Sequence, residues 1–322
     1  MGEFELIRRH FQHALRPAGV ALGNGDDCAL LAPAPGMRLA VSTDMLVEGR
    51  HFLSTVPPDA LGHKALAVNL SDLAAMGAEP LAFTLALSLP RADDAWLTGF
   101  ASGLLALADA HGCALVGGDT TAGPLNICIT VFGQVPEHQA LRRSAAQTGD
   151  DVYVSGCVGD ARLALEVFRG NNQLSAADFA AVRQRLERPT PRVALGLALR
   201  GVAHAAIDLS DGLLGDLGHV LTASGVGAEL GTSWMENSIA VSPILKSVGA
   251  DFLSEFALAG GDDYELAFTA PVAARAQVAL AAEHTGTPVT RIGTITAAPG
   301  LRLLDAQGQA PRPLPPSFDH FA

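Results

Sequence analysis

The sequence predicts an α+β fold in two domains of similar size. Its 322 residues suffice for two hydrophobic cores, and 49% of them are apolar while 17% are charged, which is a globular composition. Strand-like and helix-like segments follow one another irregularly, which favours α+β over a strictly alternating barrel. A polar stretch from Pro136 to Asp150 separates the halves, so we expect domains over residues 1–138 and 149–322 and a linker over 139–148.

The first half opens with an amphipathic pattern that predicts a helix over residues 4–15. Pro57-Pro58-Asp59 then begins a second helix, with Asp59 as its N-cap, and Gly77 followed by Pro80 ends it. The remaining predicted elements are strands at Cys28–Leu31, Arg38–Thr43, Leu81–Leu89, Ala114–Val116 and Ile127–Val135, and a helix at Asp94–His111.

The second half begins with a predicted strand at Asp151–Ser155. Further predicted helices lie near 160–169, 176–187, 191–200, Leu213–Ala223 and 272–284, and further strands lie at Ala205–Leu209, at Glu265–Thr269 and as a pair near 289–305.

Several classes of protein are excluded by composition. The net charge of −12 argues against nucleic-acid binding, which needs a basic face. No segment reaches the ~18 apolar residues of a membrane span, and the first residues lack the features of a signal peptide. The cysteines are scattered without a CxxC pair, which predicts a reduced cytoplasmic protein. They are Cys28, Cys113, Cys128 and Cys157.

Six short segments place an Asp beside Gly, Ser or Thr, and five of them fall at a predicted strand end. They are Gly25-Asp26-Asp27, Ser42-Thr43-Asp44, Asn69-Leu70-Ser71-Asp72, Gly117-Gly118-Asp119, Asp208-Leu209-Ser210-Asp211-Gly212 and Gly261-Asp262-Asp263. Asp72 is the exception, since it falls inside a predicted helix with Asn69 one turn away. Each segment alone is ordinary turn or N-cap chemistry. Six in one chain indicate a site.

In such a site the negatively charged carboxylates repel one another, and something must offset that repulsion. Carboxylates about 4 Å apart repel by about 4 kcal/mol per pair in a partly solvated setting, so cations, protonation or water must relieve the repulsion. Oxygen ligands from Asp, Ser and Thr suit Mg²⁺ rather than zinc or copper, and such sites generally hold phosphate-bearing substrates. Gly117-Gly118 permits close backbone approach to a phosphate, and the helix after Asp211-Gly212 offers free N–H groups.

The common nucleotide-binding motifs are absent. There is no GxxxxGK[ST], and the only lysines, Lys64 and Lys246, lie outside glycine-rich segments, which excludes a P-loop. The protein-kinase signatures and GxSxG are missing as well. Gly23-Asn24-Gly25 is no dinucleotide fingerprint, because Cys28 stands where the third glycine would be.

In order and spacing, the motifs resemble those of the thiamine-monophosphate kinase family over nearly the whole chain, and KALAVNLSDLAAMGAEP is the most specific stretch. The matching segments are Gly2-Glu3-Phe4, Gly25–Leu31, Ser42-Thr43-Asp44, His51-Phe52, Lys64–Pro80, Gly117–Thr121, Ala206–Leu213, Gly260–Leu266 and Phe318–Phe321. The resemblance implies two α+β domains like those of aminoimidazole ribotide synthetase and selenophosphate synthetase. It also implies a homodimer paired through the N-terminal domains, with ATP bound across the shared face.

The activity implied by the resemblance is ATP-dependent phosphorylation of thiamine monophosphate to thiamine diphosphate with several Mg²⁺ ions, and a monovalent-cation requirement is left open. The implied Mg²⁺ ligands are Asp27, Ser42, Thr43, Asp44, Asp72, Asp119, Asp208 and Asp211. The implied ATP contacts are Gly118, Asp119, Arg143 and Ser210, and the implied thiamine-monophosphate contacts are His51, Asp262 and Phe318.

Two of these positions depart from the family pattern. Asp262 stands where the family usually has Glu, which shortens the reach of the side chain by one methylene. Phe318 stands where the family often has Tyr, which removes a hydroxyl but keeps a ring for stacking. The nucleophile would be a phosphate oxygen that is already anionic, so no general base and no catalytic side chain of that kind is expected.

Two alternatives remain open at this point. One is a sibling ATP-dependent synthetase that acts on another small phosphate or amide. A sibling that makes selenophosphate would carry a reactive cysteine or selenocysteine in its N-terminal arm, whereas the first cysteine here is Cys28. The other alternative is a non-catalytic sensor of Mg²⁺ or nucleotide.

Overall fold

The computed structural model describes residues 3–305 and 307–309. The helices are α1 (Glu3–His10), α2 (Pro58–Ala75), α3 (Asp94–Ala110), α4 (Asp160–Phe168), α5 (Ala176–Glu187), α6 (Val193–Ala198), α7 (Leu213–Ser224), α8 (Ser233–Asn237), α9 (Pro243–Ser247), α10 (Ala250–Ala259) and α11 (Arg275–Thr285). The strands are β1 (Val20–Leu22), β2 (Leu30–Leu31), β3 (Met37–Val47), β4 (Glu79–Leu89), β5 (Ala114–Ala122), β6 (Asn126–Pro136), β7 (Asp151–Ser155), β8 (Ala205–Asp208), β9 (Gly227–Gly231), β10 (Leu266–Ala270), β11 (Val289–Thr296) and β12 (Gly300–Leu304).

The chain forms two compact units. One unit runs to Leu73 and resumes from Ala78 to His138, and the other takes Ala74–Gly77 and the chain from Gln139 onward. The mixture of adjacent antiparallel strands and helical crossovers confirms the predicted α+β class. Among the helices in the described part of the chain, none has the length and apolar character needed to cross a bilayer.

The first unit is built on a four-stranded sheet in the order β3-β6-β4-β5. β6 pairs antiparallel with β3 and with β4, and only β4 and β5 run parallel. One face of the sheet packs with α2, where Leu66, Leu70 and Leu73 are buried almost completely. Helix α2 therefore carries little hydrophilic surface, as is typical of a helix enclosed in a core.

Helices α2 and α3 approach each other through glycines. A Cβ on Gly62 would lie 2.0 Å from the carbonyl oxygen of Phe100, and a Cβ on Gly103 would lie 1.8 Å from that of Asp59. Real atoms cannot approach so closely, so both positions require glycine if the two backbones are to pack at this distance. This contact fixes the position of α2, the helix that carries Asp72.

The second unit is built on a six-stranded sheet in the order β12-β9-β11-β7-β10-β8. All neighbours run antiparallel except β12 and β9. Its core includes Val152 and Val154 of β7, Ile207 of β8 and Leu217 of α7. β8 is an edge strand, and its last residue is Asp208.

Several predicted elements need correction. Helix α1 ends at His10 rather than Leu15, and the chain beyond it is held to the sheet because His13 Nδ1 accepts the N–H of Leu115 at 3.1 Å. Asp59 is not an N-cap, since α2 begins at Pro58 and Asp59 lies within its first turn. The last two strands are not paired with each other.

Strand β9 separates those last two strands, β11 and β12, in the sheet. β9 and the helices α8, α9 and α10 had no counterpart in the sequence prediction. Three of these elements are only five residues long, which is too short for hydrophobic periodicity to reveal.

The glycine contact gives a test of the packing in the first unit. We expect Gly103→Ala to lower the free energy of unfolding by about 3 kcal/mol, because the methyl group must push the backbone of Asp59 away. The matched control is Gly218→Ala in α7, where a Cβ would meet nothing within 4 Å. That control should be neutral or should stabilise the protein by up to about 1 kcal/mol. Urea denaturation measures both, and equal stabilities of the two variants would contradict this packing.

Candidate active site

Three of the predicted metal ligands meet where β3 crosses α2. The hydroxyl of Ser42 donates a hydrogen bond to Asp72. Asn69, one turn before Asp72 in α2, accepts the backbone N–H of Asp44 at 3.2 Å and donates its own amide to the carbonyl of Ala65 at 3.0 Å. The prediction that Asp72 lies inside a helix with Asn69 one turn away is confirmed, and both side chains face β3. We call Ser42, Asp44 and Asp72 the β3–α2 cluster.

The electrostatics of this cluster are unusual for a carboxyl group at neutral pH. Burial, and then the charge of Asp72, raise the pKa of Asp44 from 3.8 to about 7. Burial, and then the charge of Asp44, also raise the pKa of the Cys128 thiol on the neighbouring strand. In the protein alone, Asp44 is therefore close to half protonated at neutral pH, and any cation that binds there favours its ionised form.

Thr43 lies on the opposite face of the sheet. Its hydroxyl oxygen is 2.9 Å from that of Thr130 on β6, its direct partner in the β3–β6 register. The sequence prediction placed Asp44 at a strand end, which is wrong, because β3 continues to Val47. Side chains alternate along a strand, so the Ser42-Thr43-Asp44 segment divides its oxygen atoms between two faces.

A second group of predicted residues lines a cavity of about 700 Å³ in the first unit. Asp27, Gly118 and Asp119 contribute to its wall together with residues of α1 such as Arg8. Gly118 has φ +145°, and a Cβ there would lie 1.9 Å from the carbonyl oxygen of Leu85. Only glycine fits this position. Asp119 lies inside β5 and not at its end, which is a further correction.

His51 follows the end of β3. Its Nδ1 accepts the backbone N–H of Val47 at 3.0 Å, which places the proton of the neutral ring on Nε2. The same turn is closed by the N–H of His51, which donates to the carbonyl of Val47 at 3.0 Å. The orientation of the ring is therefore set by the backbone at the end of the strand that also carries Asp44.

In the second unit, the remaining acidic residues lie on two loops that are joined through the backbone. The N–H of Asp262 donates to the carbonyl of Ser210, and the N–H of Tyr264 donates to that of Leu209, both at 2.8 Å. Asp208 precedes these residues as the buried last residue of β8, which ends one residue before the predicted end at Leu209. The predicted start of α7 just after Gly212 is confirmed as well.

Asp216 is a residue that the sequence prediction missed. It lies in the first turn of α7, is buried, and accepts the backbone N–H of Asp211 at 3.1 Å. Burial raises its pKa to about 7, although the bonds that it accepts from nearby backbone N–H groups oppose that shift. The signal was an Asp inside the otherwise apolar stretch that opens α7. Thr130 was missed too, because a lone threonine in a strand gives no signal.

The loop that carries Asp262 has an uncommon backbone. Asp262 and Tyr264 both have positive φ, +61° and +49°, a region that non-glycine residues rarely adopt. The hydroxyl of Tyr264 donates to Asp262 Oδ1 at 3.4 Å. Such conformations persist only where the surroundings enforce them, and they concentrate at functional sites.

Two of the predicted site residues, Arg143 and Phe318, remain to be located. Arg143 is exposed in the short 3₁₀ turn Arg143–Ala145 of the second unit, where its carbonyl accepts the hydroxyl of Ser224 at 2.8 Å. Phe318 lies outside the described residues. Within residues 3–305 and 307–309, no three His, Cys, Asp or Glu side chains come close enough to hold a metal ion on their own.

The β3–α2 cluster nevertheless fits Mg²⁺. It offers two carboxylates and a hydroxyl, all of them hard oxygen donors, and the pKa of Asp44 is raised by burial and then by the charge of Asp72. In proteins, Mg²⁺ generally binds one or two carboxylates and completes its octahedral shell with water and substrate phosphate. A pair of carboxylates, and not a cage of three, is the arrangement that this coordination requires.

Comparison with known proteins assigns the fold to a family. The model of the AIR synthase related protein, N-terminal domain, matches residues 25–135, and that of the C-terminal domain matches residues 147–306. The thiamine-monophosphate kinase of Salmonella typhimurium is 46% identical over 298 residues, which cover 92% of this chain and 91% of that protein.

Solved structures agree with this assignment. The crystal structure of thiamine-monophosphate kinase from Stenotrophomonas maltophilia K279a has a TM-score of 0.87 and 47% identity, and the match covers 96% of this chain and 98% of that chain. The structure of AaThiL complexed with AMPPCP and TMP has a TM-score of 0.77 and 28% identity, with 99% and 96% coverage. The chain therefore belongs to the thiamine-monophosphate kinase family.

Proposed function

We propose that this protein transfers the γ-phosphate of ATP directly onto thiamine monophosphate and so forms thiamine diphosphate, the final step of thiamine diphosphate biosynthesis. The β3–α2 cluster is the observation that carries the proposal, because two adjacent carboxylates without a general base suit metal-assisted phosphoryl transfer. The substrates follow from membership of the family and from the AMPPCP and TMP present in AaThiL.

The residues divide into three roles. The proposed Mg²⁺ ligands are Asp27, Ser42, Thr43, Asp44, Asp72, Asp119, Asp208 and Asp211. The proposed ATP contacts are Gly118, Asp119, Arg143 and Ser210, and the proposed contacts to thiamine monophosphate are His51, Asp262 and Phe318. The shared cavity wall of Asp27, Gly118 and Asp119 supports the first two roles, and the backbone bond between Ser210 and Asp262 supports the last two.

The acceptor phosphate of thiamine monophosphate is already anionic at neutral pH, so the protein has no proton to remove. Its tasks are alignment and charge neutralisation. When bound, Mg²⁺ screens the repulsion between the two anionic reactants and stabilises the departing ADP. Asp44 and Asp72 hold negative charge at a fixed place, Gly118 lets the β5 backbone approach a phosphate closely, and the exposed guanidinium of Arg143 suits phosphate oxygens.

We extend the proposal to a cytoplasmic homodimer that pairs through the sheet of the first unit. Leu39, Val41 and Met45 of β3 are 44%, 55% and 53% exposed. Strand alternation places all three on the face that carries Thr43. Apolar side chains so exposed on a flat strand are typical of an interaction surface. A reducing compartment agrees with the unpaired state of Cys28, Cys113, Cys128 and Cys157.

A substitution at Asp44 tests the kinase. In an assay that couples ADP release to a colour change, turnover should require both Mg²⁺ and thiamine monophosphate. Asp44→Asn should reduce kcat by at least about 10²-fold, because it removes one group that organises charge in the transition state. The matched control is Asp178→Asn in α5, a half-buried carboxylate that accepts the hydroxyl of Ser175, and it should turn over at the normal rate.

The same assay separates the alternatives. ADP release that depends on another small phosphate or amide, and not on thiamine monophosphate, would support a sibling synthetase. Binding of Mg-ATP with no turnover on any acceptor would support a sensor. Near-normal kcat of Asp44→Asn at saturating Mg²⁺ would contradict the role that we give to the β3–α2 cluster.

A charge at Val41 tests the dimer. In a two-fold symmetric interface each substitution occurs twice, so Val41→Glu should raise the dimer dissociation constant by about 100-fold through like-charge repulsion and burial. Leu280→Glu is the matched control, since Leu280 of α11 is 63% exposed in the other unit. Light scattering measures the masses, and Val41→Glu that remains dimeric at low concentration would place the interface elsewhere.

A further inference from the structure

Glu265 carries a buried charge immediately before β10. Its side chain is fully buried, yet both of its carboxylate oxygens accept hydrogen bonds. Arg192 donates Nε to Oε2 at 2.6 Å and Nη2 to Oε1 at 2.5 Å, and Arg185 donates Nη2 to Oε1 at 2.6 Å. The hydroxyl of Ser155 donates to Oε2 at 2.6 Å. Arg192 therefore binds the carboxylate through two parallel hydrogen bonds, and this bidentate geometry also fixes the orientation of the carboxylate.

The carboxylate of Glu265 stays ionised because the two arginines stabilise its charge by more than burial destabilises it. Burial alone would raise the pKa of Glu265, but the hydrogen bonds and charges of Arg192 and Arg185 lower it below its ordinary value. The carboxylate of Glu265 also packs against the backbone of Gly156, where an added Cβ would lie 2.0 Å from Oε1. A buried ion pair contributes little net stability but is costly to break, so its presence calls for another explanation than stability.

The residues around Glu265 alternate in direction. Gly261, Asp263 and Glu265 are buried, whereas Asp262 and Tyr264 between them are half-buried. Asp263 is a second anchor, since its two carboxylate oxygens accept the N–H of Gly159 at 2.9 and 3.0 Å. Asp263 and Glu265 thus anchor the segment, while the half-buried side chains of Asp262 and Tyr264 each precede one of these anchors.

Backbone bonds connect these anchors to the proposed substrate contacts. The N–H of Leu209 donates to the carbonyl of Glu265 at 2.8 Å, and the N–H of Asp262 donates to the carbonyl of Ser210 at 2.8 Å. Asp262, with its left-handed backbone, immediately precedes the anchor Asp263. A shift of Glu265 is therefore passed to both Asp262 and Ser210.

The chain contains a closely similar ion pair that has no site residue beside it. Asp151, at the first residue of β7, is 1% exposed, and Arg275 donates Nε to its Oδ2 at 2.6 Å and Nη2 to its Oδ1 at 2.9 Å. Arg291 is the second arginine there, at 3.2 Å. Ser155, which contacts Glu265, is at the other end of the same strand.

We propose that Arg192 and Glu265 are positioning residues for the acceptor substrate, and that their ion pair sets the place of Asp262 rather than the stability of the fold. This inference rests on the proposed function, in which Asp262 contacts thiamine monophosphate. Arg192 itself touches no substrate in this account and acts through Glu265 and the backbone of the 260–264 loop.

Arg192→Lys tests the proposal, because lysine keeps the charge but cannot form the bidentate pair. We expect KM for thiamine monophosphate to rise about tenfold, a change equivalent to about 1.4 kcal/mol, while kcat stays within about twofold. Arg275→Lys is the matched control, since it removes the same fork from Asp151. Its KM should be unchanged, whatever its melting temperature.

Hydrogen exchange supplies a readout that does not depend on activity. Amides of residues 260–266 should exchange faster in Arg192→Lys than in the wild type, and they should be unaffected in Arg275→Lys. Glu265→Gln, if it folds, should behave as Arg192→Lys does, because the neutral amide cannot serve two guanidinium groups. The proposal is overturned if Arg192→Lys and Arg275→Lys lower the melting temperature alike and leave KM alike.

Failure of the proposed function looks different. In that case the wild-type protein shows no turnover of thiamine monophosphate, and no KM can be defined for any variant. A wild type that turns over normally, together with an unaltered KM and unaltered exchange in Arg192→Lys, would leave the kinase standing and reject only the positioning role.

Discussion

Two carboxylates on different elements, Asp44 of β3 and Asp72 of α2, are held together by the packing of the first unit. The glycine contact between α2 and α3 fixes the helix, and the bond from Ser42 to Asp72 fixes the strand against it. Burial, and then the charge of Asp72, raise the pKa of Asp44 to about 7, so the fold alone does not relieve the repulsion between these two carboxylates. In the function that we propose, the placement of the substrates depends on the cation that relieves this charge.

The second unit solves a different problem, which is to hold polar loops in an uncommon conformation. Asp216 accepts the N–H of Asp211, and Glu265 with Asp263 fastens the segment that carries Asp262. These three buried carboxylates accept hydrogen bonds within the fold. The aspartates that we propose as ligands lie close to them in the sequence. In our proposal, neighbouring carboxylates along one short motif therefore have different roles, since Asp216, Asp263 and Glu265 hold backbone or arginine groups in place.

Part of this organisation was predictable from the sequence. The helix that carries Asn69 and Asp72, the end of β8 at Asp208 and the start of α7 all follow from local patterns. The continuation of β3 past Asp44 was not predictable, because the polar residues in this edge strand conceal its true length. The roles of Asp216 and Glu265 depend on partners distant in sequence, such as Arg192, and no local pattern shows them.

Mg²⁺-dependent thermal stability tests the central claim, that the β3–α2 cluster is built for a cation. Because the pKa of Asp44 is raised to about 7, the metal-free protein should lose stability as pH rises through that value and the carboxylate ionises beside Asp72. Added Mg²⁺ should therefore raise the melting temperature more at about pH 8 than at about pH 6. Asp44→Asn isolates this effect from the titration of Asp216 and should abolish the difference. An equal Mg²⁺ shift at both pH values, or a shift that Asp44→Asn leaves intact, would contradict the account.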